Sequence, residues 1–200
     1  MPAGLDIPIP PPQNRPAHLI EDHRLGGIGI IHEDKSEYWN HVTKLGTGLG
    51  PLRHTKIIDL ELSNICNYAT SHKKCPLHEV HRPTILSEEL VFHVLETCKK
   101  FEFRGMLRFS IYNEPGIDPR LMMFIREAKR LLPDVSIDLL TNGFYLDEGL
   151  ANEFAKYGVS FIRISAYSKS EYERFTKFQC RIPIVVTLAI LRTEFRPPLR

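Results

Sequence analysis

No apolar run in this sequence approaches the roughly 20 residues that a membrane-spanning helix requires. The N-terminus, MPAGLDIPIPPPQNRP, lacks the basic start and the apolar core of a secretory signal peptide. We therefore expect a cytoplasmic protein that has no membrane partner.

A large excess of charge of one sign is also missing. The chain has 26 Lys and Arg residues against 24 Asp and Glu residues, which gives a net charge of +2. Nucleic-acid binding relies on a concentrated positive field, so this balance argues against a nucleic-acid partner.

Cysteine is scarce, with four residues in 200. Their irregular spacing does not form the disulfide framework of a small secreted domain. Cys98 and Cys180 lie in apolar surroundings and are expected to fill the core. Cys66 and Cys75 instead enclose His72 in one short segment, CNYATSHKKC. Thiols grouped with an imidazole in a reducing compartment are typical of a metal site.

The first quarter of the chain differs from the rest in composition. Residues 2–16 contain six of the fifteen prolines, which favours an extended arm over a packed core. The following segment is rich in glycine, and only residues 27–31 are predicted to form a short strand. We assign residues 1–54 to an N-terminal extension and residues 55–200 to the main domain.

From residue 56 onward, β-rich apolar runs alternate with segments of helical period. The predicted strands are 56–62, 106–112, 135–140, 159–166 and 183–190, and the predicted helices are 87–101, 118–132, 147–157 and 169–176. Ser87 and Asp147 are the expected N-caps of the first and third helices. This alternation predicts an α/β fold with a parallel sheet. Since an eight-stranded barrel needs about 250 residues, an open sheet or a partial barrel is expected.

Polar clusters occur at the ends of the predicted strands. In parallel α/β folds these ends form the edge that holds the chemistry, so we expect the clusters to lie close together. The cysteine segment follows the first strand. The other candidate residues are Tyr112, Asn113, Glu114 and Pro115 after the second strand, Thr141 and Asn142 after the third, and Arg163 and Ser165 on the fourth.

The order of these motifs resembles the radical S-adenosylmethionine superfamily over roughly residues 56–190. In that superfamily a cysteine loop follows the first strand of a partial (β/α)6 barrel, and Cys66-Asn67 and Cys75-Pro76 are similar to its two ends. The sequences YNEP, TNG and RIS are similar to the motifs of the next three strands. The resemblance implies such a barrel, here truncated after about five strands, without a sixth strand or a C-terminal auxiliary domain.

The resemblance also implies cofactors. Cys66, His72 and Cys75 would ligate a 4Fe-4S cluster, and the rim residues named above would bind S-adenosylmethionine. Glu114 would accept charge-assisted hydrogen bonds from the ammonium of the methionine moiety. Reductive cleavage would yield a 5′-deoxyadenosyl radical that abstracts hydrogen from a small-molecule or peptide substrate. A low-potential electron donor such as a flavodoxin or ferredoxin is the implied protein partner.

The cysteine segment departs from the three-cysteine pattern, because its spacing is Cys66-x5-His72-x2-Cys75. A histidine ligand raises a cluster's reduction potential, whereas cleavage of a sulfonium requires a low one. Three interpretations stay open: an active iron-sulfur enzyme, a zinc site that adds His78 or His81 to the two thiols, and a noncatalytic binding or scaffold protein without a cluster.

The last predicted strand has no predicted neighbour on one side. Unpaired strand edges seek a partner, so we expect this edge to favour a partner chain that completes the barrel. Either a fragment or a reduced member of the superfamily would fit this expectation.

Overall fold

The structure is a computed structural model that describes residues 28–32, 36–70, 75–80 and 82–191. Its strands are β1 (Ile28–His32), β2 (Ile57–Asp59), β3 (Met106–Arg108), β4 (Ser136–Thr141), β5 (Phe161–Ala166) and β6 (Ile184–Leu191). Its helices are α1 (Ser36–Lys44), α2 (Glu88–Lys100), α3 (Leu121–Leu131), α4 (Glu148–Lys156) and α5 (Lys169–Phe175). Short 3-10 helices lie at Gly50–Leu52, Pro76–Glu79 and Pro115–Ile117.

One sheet of six strands organises these elements, in the order β1-β6-β5-β4-β3-β2. Strands β2 to β6 are mutually parallel and are joined by α2, α3, α4 and α5 in turn. The predicted α/β fold with five parallel strands is therefore confirmed. The predicted N-caps are also present, since Ser87 accepts a hydrogen bond from the Leu90 N–H and Asp147 accepts one from the Leu150 N–H.

The first two parallel strands are shorter than predicted, at three residues each. The backbone pairing continues to the bond from the Leu60 N–H to the Arg108 carbonyl and then stops. Beyond it, the Glu61 carboxylate accepts the N–H groups of Tyr112 and Asn113 at 2.9 and 2.8 Å. A side chain thus replaces the backbone ladder where the two strands diverge.

Strand β1 covers the outer edge of β6. The two pair antiparallel, with Ile28 opposite Leu191 and His32 opposite Thr187. The prediction that this edge is open to a partner chain is wrong, because β1 of the same chain pairs with the backbone of β6. The predicted short strand at 27–31 is confirmed, and it shows that part of the N-terminal extension joins the sheet.

The two faces of the sheet pack against different elements. The face that carries Leu107, Ile137 and Ile162 packs with α2, α3 and α4 into the main core. Cys98 belongs to that core and is 1% exposed, as predicted for a core filler. The opposite face, which we call the inner face, carries Met106, Asp138, Phe161 and Arg163. Helix α1 covers this face near the amino ends of the strands. Within the described chain every helix is too short or too polar to span a bilayer.

Helix α1 is fixed on the inner face by its aromatic residue Tyr38. The Tyr38 ring lies edge-on to Phe161, with 5.5 Å between the ring centroids, and its hydroxyl donates to Asp138 Oδ2 at 3.2 Å. Burial, with a further contribution from the Asp138 carboxylate, raises the pKa of Tyr38 to about 12. The phenol therefore stays protonated and serves Asp138 as a hydrogen-bond donor.

A row of alternating charges crosses the inner face beside these contacts. Asp59 on β2 pairs with Arg108 on β3, and Asp138 on β4 pairs with Arg163 on β5. Arg163 donates to Asp138 from Nε at 2.8 Å and from Nη2 at 2.6 Å, and the Asp138 side chain is fully buried. One ion pair links β2 to β3 and the other links β4 to β5, and we call this layer of four side chains the ionic row.

We expect Asp138→Ala to reduce the free energy of unfolding by about 3 kcal/mol, because it leaves the partly buried Arg163 guanidinium and the Tyr38 hydroxyl without their acceptor. Urea denaturation measures this change. Glu127→Ala is the control, since it removes the largely exposed ion pair with Arg130 and should leave the urea midpoint nearly unchanged. Equal losses in the two variants would contradict the structural importance assigned to the ionic row.

Candidate functional site

The buried carboxylate of Glu114 connects the strand ends at the predicted rim. Glu114 is 2% exposed. It accepts hydrogen bonds from the Thr141 hydroxyl at 2.6 Å, the Asn142 N–H at 2.7 Å and the Gly116 N–H at 3.1 Å. One side chain thus joins the loop after β3 to the end of β4.

The segment after β4 is shaped by its own short polar side chains. The Thr141 hydroxyl accepts the Gly143 N–H, and the Asn142 side-chain oxygen accepts the Phe144 N–H, both at 2.9 Å. Gly143 has a φ of 75°, a left-handed conformation that favours glycine. These local bonds turn the chain so that Thr141 and Asn142 both reach Glu114.

Burial raises the pKa of Glu114, and the hydrogen bonds from Thr141, Asn142 and Gly116 oppose that shift. The described residues supply two donors to Oε1 and one to Oε2. An ionised carboxylate has about four acceptor positions. A cationic ligand group at Oε2 would complete this set and stabilise the ionised form.

Cys66 lies beside this carboxylate and is held from two directions. The Tyr68 N–H donates to the Cys66 sulfur at 3.4 Å, and Asn142 Nδ2 lies 3.9 Å from the same sulfur. Asn142 Nδ2 also donates to the Asn67 side-chain oxygen at 2.7 Å. The adjoining backbone is fixed as well, because the Glu114 N–H donates to the Ile65 carbonyl at 2.9 Å.

Burial raises the pKa of the Cys66 thiol, and the nearby charges of Glu114 and Cys75 raise it further. The free thiol is therefore protonated at neutral pH and is a poor nucleophile. A bound cation would reverse this preference, since coordination to a metal deprotonates a thiol.

Tyr167 follows the last residue of β5 and is electrostatically coupled to the thiols and to Glu114. Burial raises the pKa of its phenol, and the charges of Cys66, Cys75 and Glu114 all contribute to the rise. The phenol also hydrogen-bonds with Ser165. The predicted meeting of Cys66, Cys75 and Glu114 at one metal centre stays a prediction.

The predicted metal ligands are placed only in part. His72 and His81 lie outside the described residues, so their predicted roles stay predictions. His78 is described, and its Nδ1 lies 3.2 Å from the Ala69 carbonyl oxygen at an exposed position. Among the described side chains, no group of three or more His, Cys, Asp and Glu is arranged to hold a metal ion.

Asn113 has a buried side chain whose two polar atoms find no protein partner in the described part of the chain. The residue is 5% exposed, and neither Nδ2 nor Oδ1 is hydrogen-bonded. Leaving a buried polar group unsatisfied costs about 1–3 kcal/mol. Because its carboxamide has no protein partner and adjoins Glu114 in sequence, Asn113 is well suited to bind a ligand that both donates and accepts hydrogen bonds.

The remaining predicted residues have different surroundings. The Arg163 guanidinium is engaged by Asp138 in the ionic row, two residues before Ser165. The Tyr112 side chain is 50% exposed, while its N–H is held by Glu61. Pro115 is buried and begins the 3-10 helix that follows Glu114.

Sequence reasoning missed two glutamates at the rim. Glu61 holds the backbone of the loop that carries Glu114, and Glu171 accepts the Tyr68 hydroxyl at 3.1 Å. Glu61 had a visible signal, because it is an acidic residue on an otherwise apolar strand end. The Ser168-x-x-Glu171 spacing is a capping-box signature, which predicts the helix cap but not the contact with Tyr68.

Comparison with known proteins supports this description of the fold. No family model matches the chain. A tungsten-containing aldehyde ferredoxin oxidoreductase cofactor-modifying protein from Pyrococcus furiosus is 26% identical over 114 residues, which cover 55% of this chain and 30% of that protein. The chain therefore spans less than a third of the length of this curated relative.

Two solved structures of BtrN are also similar. BtrN in complex with AdoMet and 2-DOIA superposes with a TM-score of 0.51 at 17% identity, covering 66% of this chain and 55% of BtrN. BtrN in an open conformation gives a TM-score of 0.53 at 19% identity, covering 66% and 56%. These likenesses show a fold shared with BtrN and are consistent with a partial barrel.

We expect Glu114→Gln to change how stability depends on pH. Because the pKa of Glu114 is raised on folding, the folded state keeps its proton to a higher pH than the unfolded state does. The Glu114 carboxyl therefore contributes stability at pH values below the ordinary glutamate pKa. This contribution is lost as the pH rises through the raised pKa. The wild-type free energy of unfolding, minus that of the variant, should therefore fall across this window in urea denaturation. A difference that grows with pH would show that the hydrogen bonds outweigh burial.

Proposed function

We propose that this chain is a radical S-adenosylmethionine-type iron-sulfur enzyme that abstracts hydrogen from an organic substrate, either a small molecule or a peptide. The observation that supports the proposal is the buried Glu114 carboxylate, which Thr141 and Asn142 hold at the carboxyl edge of a parallel sheet while Asn142 Nδ2 also lies 3.9 Å from the Cys66 sulfur. The fold likeness to BtrN, which was solved with AdoMet, supports the same cofactor here.

The described thiols fit two ligands of a 4Fe-4S cluster. Thiolates are the usual ligands of such clusters, and an imidazole serves in some of them, so His72 is the proposed third ligand. The Tyr68 N–H is directed at the Cys66 sulfur and would stabilise its thiolate charge. When bound, the cluster supplies the electron for reductive cleavage of S-adenosylmethionine.

The rim residues are proposed to bind S-adenosylmethionine through its amino-acid end. Glu114 would accept a charge-assisted hydrogen bond from the ammonium. The unpartnered carboxamide of Asn113 can both accept from the ammonium and donate to the carboxylate. Thr141 and Asn142 orient Glu114, and Ser165 lies beside Tyr167 where the ribose is proposed to sit.

The substrate is proposed to occupy the inner face between the rim and the ionic row. The side chains of Asp59, Arg108 and Arg163 are 27, 23 and 21% exposed, so solvent reaches this layer. A polar organic molecule suits such a surface. A low-potential flavodoxin or ferredoxin is the proposed electron donor, and the cytoplasm is the proposed location.

Histidine at the position of the middle ligand favours one alternative, a noncatalytic protein of the same fold that binds S-adenosylmethionine without a working cluster. The zinc site is the other alternative. It requires Cys66, Cys75 and a histidine outside the cluster set, and the exposed His78 is the candidate among the described residues. The metal that binds therefore separates the three interpretations.

Anaerobic reconstitution with iron and sulfide should give the wild-type protein a visible charge-transfer absorption and a paramagnetic signal after reduction. Cys66→Ala should abolish both, because it removes a ligand. Cys180→Ala is the matched control, since Cys180 is also half-buried but its sulfur donates to the Ile182 carbonyl away from the rim. Formation of 5′-deoxyadenosine from S-adenosylmethionine tests the activity.

The outcomes of that experiment are distinct. No absorption in the wild-type protein, or equal loss in both variants, would overturn the enzyme proposal. Stoichiometric zinc in place of iron would favour the Cys/His zinc site. Binding of S-adenosylmethionine without a cluster would favour the noncatalytic alternative.

Asn113→Leu should stabilise the ligand-free protein and weaken the binding of S-adenosylmethionine. The substitution removes two unsatisfied polar atoms, so the free energy of unfolding should rise by about 1–3 kcal/mol. The dissociation constant, measured by equilibrium dialysis, should rise by about tenfold or more, since the carboxamide contacts are lost.

Asn64→Leu is the control for this trade-off. Asn64 has both polar atoms partnered, by the Arg82 carbonyl and the Thr84 N–H, so its replacement should destabilise the protein. A destabilised Asn113→Leu variant with unchanged binding would remove Asn113 from the proposed site.

A further inference from the structure

The Glu171 carboxylate makes two kinds of contact at the start of α5. Its Oε2 accepts the N–H groups of Tyr167 and Ser168 at 2.9 and 3.0 Å. The Glu171 N–H in turn donates to the Ser168 hydroxyl at 3.1 Å, which completes a capping box. This first set of contacts is the ordinary way to satisfy the free N–H groups at a helix start.

The second contact is not part of a capping box. The Tyr68 hydroxyl donates to Glu171 Oε1 at 3.1 Å, from a residue 103 positions earlier in the chain. The Tyr68 N–H donates to the Cys66 sulfur at 3.4 Å. Two hydrogen bonds therefore connect the first turn of α5 to the sulfur of Cys66. Cys66 belongs to the segment 66–70, which we call the thiol loop.

Packing fixes the Tyr68 ring between these two bonds. Its centroid lies 5.4 Å from that of Tyr167 and 6.3 Å from that of Phe144. The Tyr68 side chain therefore has aromatic neighbours from the ends of β4 and β5 and one charged acceptor.

The loop is held from the β4 side by a separate contact. Asn142 Nδ2 donates to the Asn67 side-chain oxygen at 2.7 Å, and this bond does not involve Glu171 or Tyr68. Cys66 therefore lies between two independent attachments, one to the end of β4 and one to the start of α5. Asn142 is one of the predicted cofactor-binding residues, whereas Glu171 is not.

We propose that Glu171 is a positioning residue for the thiol loop, which acts through the Tyr68 hydroxyl to hold the Cys66 sulfur beside Asn142 at the rim. The consequence for catalysis rests on the proposed function. The contact itself is tested in the metal-free protein, where the accessibility of Cys66 reports the position of the loop.

The test is the rate at which iodoacetamide alkylates Cys66 in the metal-free protein, followed by mass spectrometry of the Cys66 peptide. Tyr68→Phe removes only the hydroxyl, and Glu171→Ala removes the acceptor. Each should speed the reaction by roughly two- to tenfold, the factor that one hydrogen bond contributes to a local equilibrium. The double variant should react no faster than the faster single variant, because both changes break the same bond.

Two further variants separate positioning from helix capping. Ser168→Ala weakens the cap of α5 without touching Tyr68, so Cys66 should react at the wild-type rate. Glu171→Gln keeps an acceptor oxygen and should restore most of the protection. An equal acceleration by Ser168→Ala, or an unchanged rate in Tyr68→Phe, would overturn the proposal.

The same variants distinguish this inference from the proposed function. After reconstitution, Tyr68→Phe and Glu171→Ala should lose iron to a chelator several times faster than the wild-type protein. If the wild-type protein takes up no cluster but the alkylation rates change as expected, positioning stands and the enzyme proposal fails. If the cluster forms and neither readout changes, the positioning role alone is overturned.

Discussion

The burial of one carboxylate at the diverging ends of the parallel strands is the constraint on which the site depends. Glu114 is almost removed from solvent, which raises its pKa, and donors from two segments, Thr141 with Asn142 and Gly116, converge on the carboxylate and oppose that rise. Those bonds fix the loop after β3 against the end of β4. Glu61 acts in the same way one strand earlier, where its carboxylate replaces backbone pairing. Both glutamates therefore link neighbouring strand ends through a side chain where the backbone ladder has stopped.

Helix α1 covers the inner face at the amino ends of the strands and leaves the rim at their carboxyl ends uncovered. Helix α1 packs on Met106 and Phe161, and the ionic row lies beside it. Ion pairs of this kind add little net stability, because desolvation offsets their attraction. Their geometry is nevertheless demanding, since Asp138 must meet both Tyr38 and Arg163. We infer that the ionic row fixes both the register of the strands and the position of α1 on the inner face.

The parallel strands and their helices could be predicted because their signals are local: apolar runs, helical periodicity and caps such as Ser87. The approach of Asn142 to Cys66 at the rim, 3.9 Å from Nδ2 to the sulfur, could be predicted from topology, since parallel strands bring their carboxyl ends together. The pairing of β1 with β6 was missed because no local pattern tells a short strand which edge it joins. The partner of Arg163 was missed for a related reason. It depends on the register that sets Arg163 opposite Leu140, and this register is fixed by long-range packing.

The attachments of the thiol loop also bear on its unusual spacing. The side-chain contacts that hold the start of the loop act on residues 66–68, through Asn142 on one side and Glu171 on the other. His72 comes after these attachments in the sequence. None of these three hydrogen bonds involves a residue between Tyr68 and Cys75. Under the proposed function, a histidine at position 72 would therefore change the chemistry of the cluster and not these attachments of Cys66.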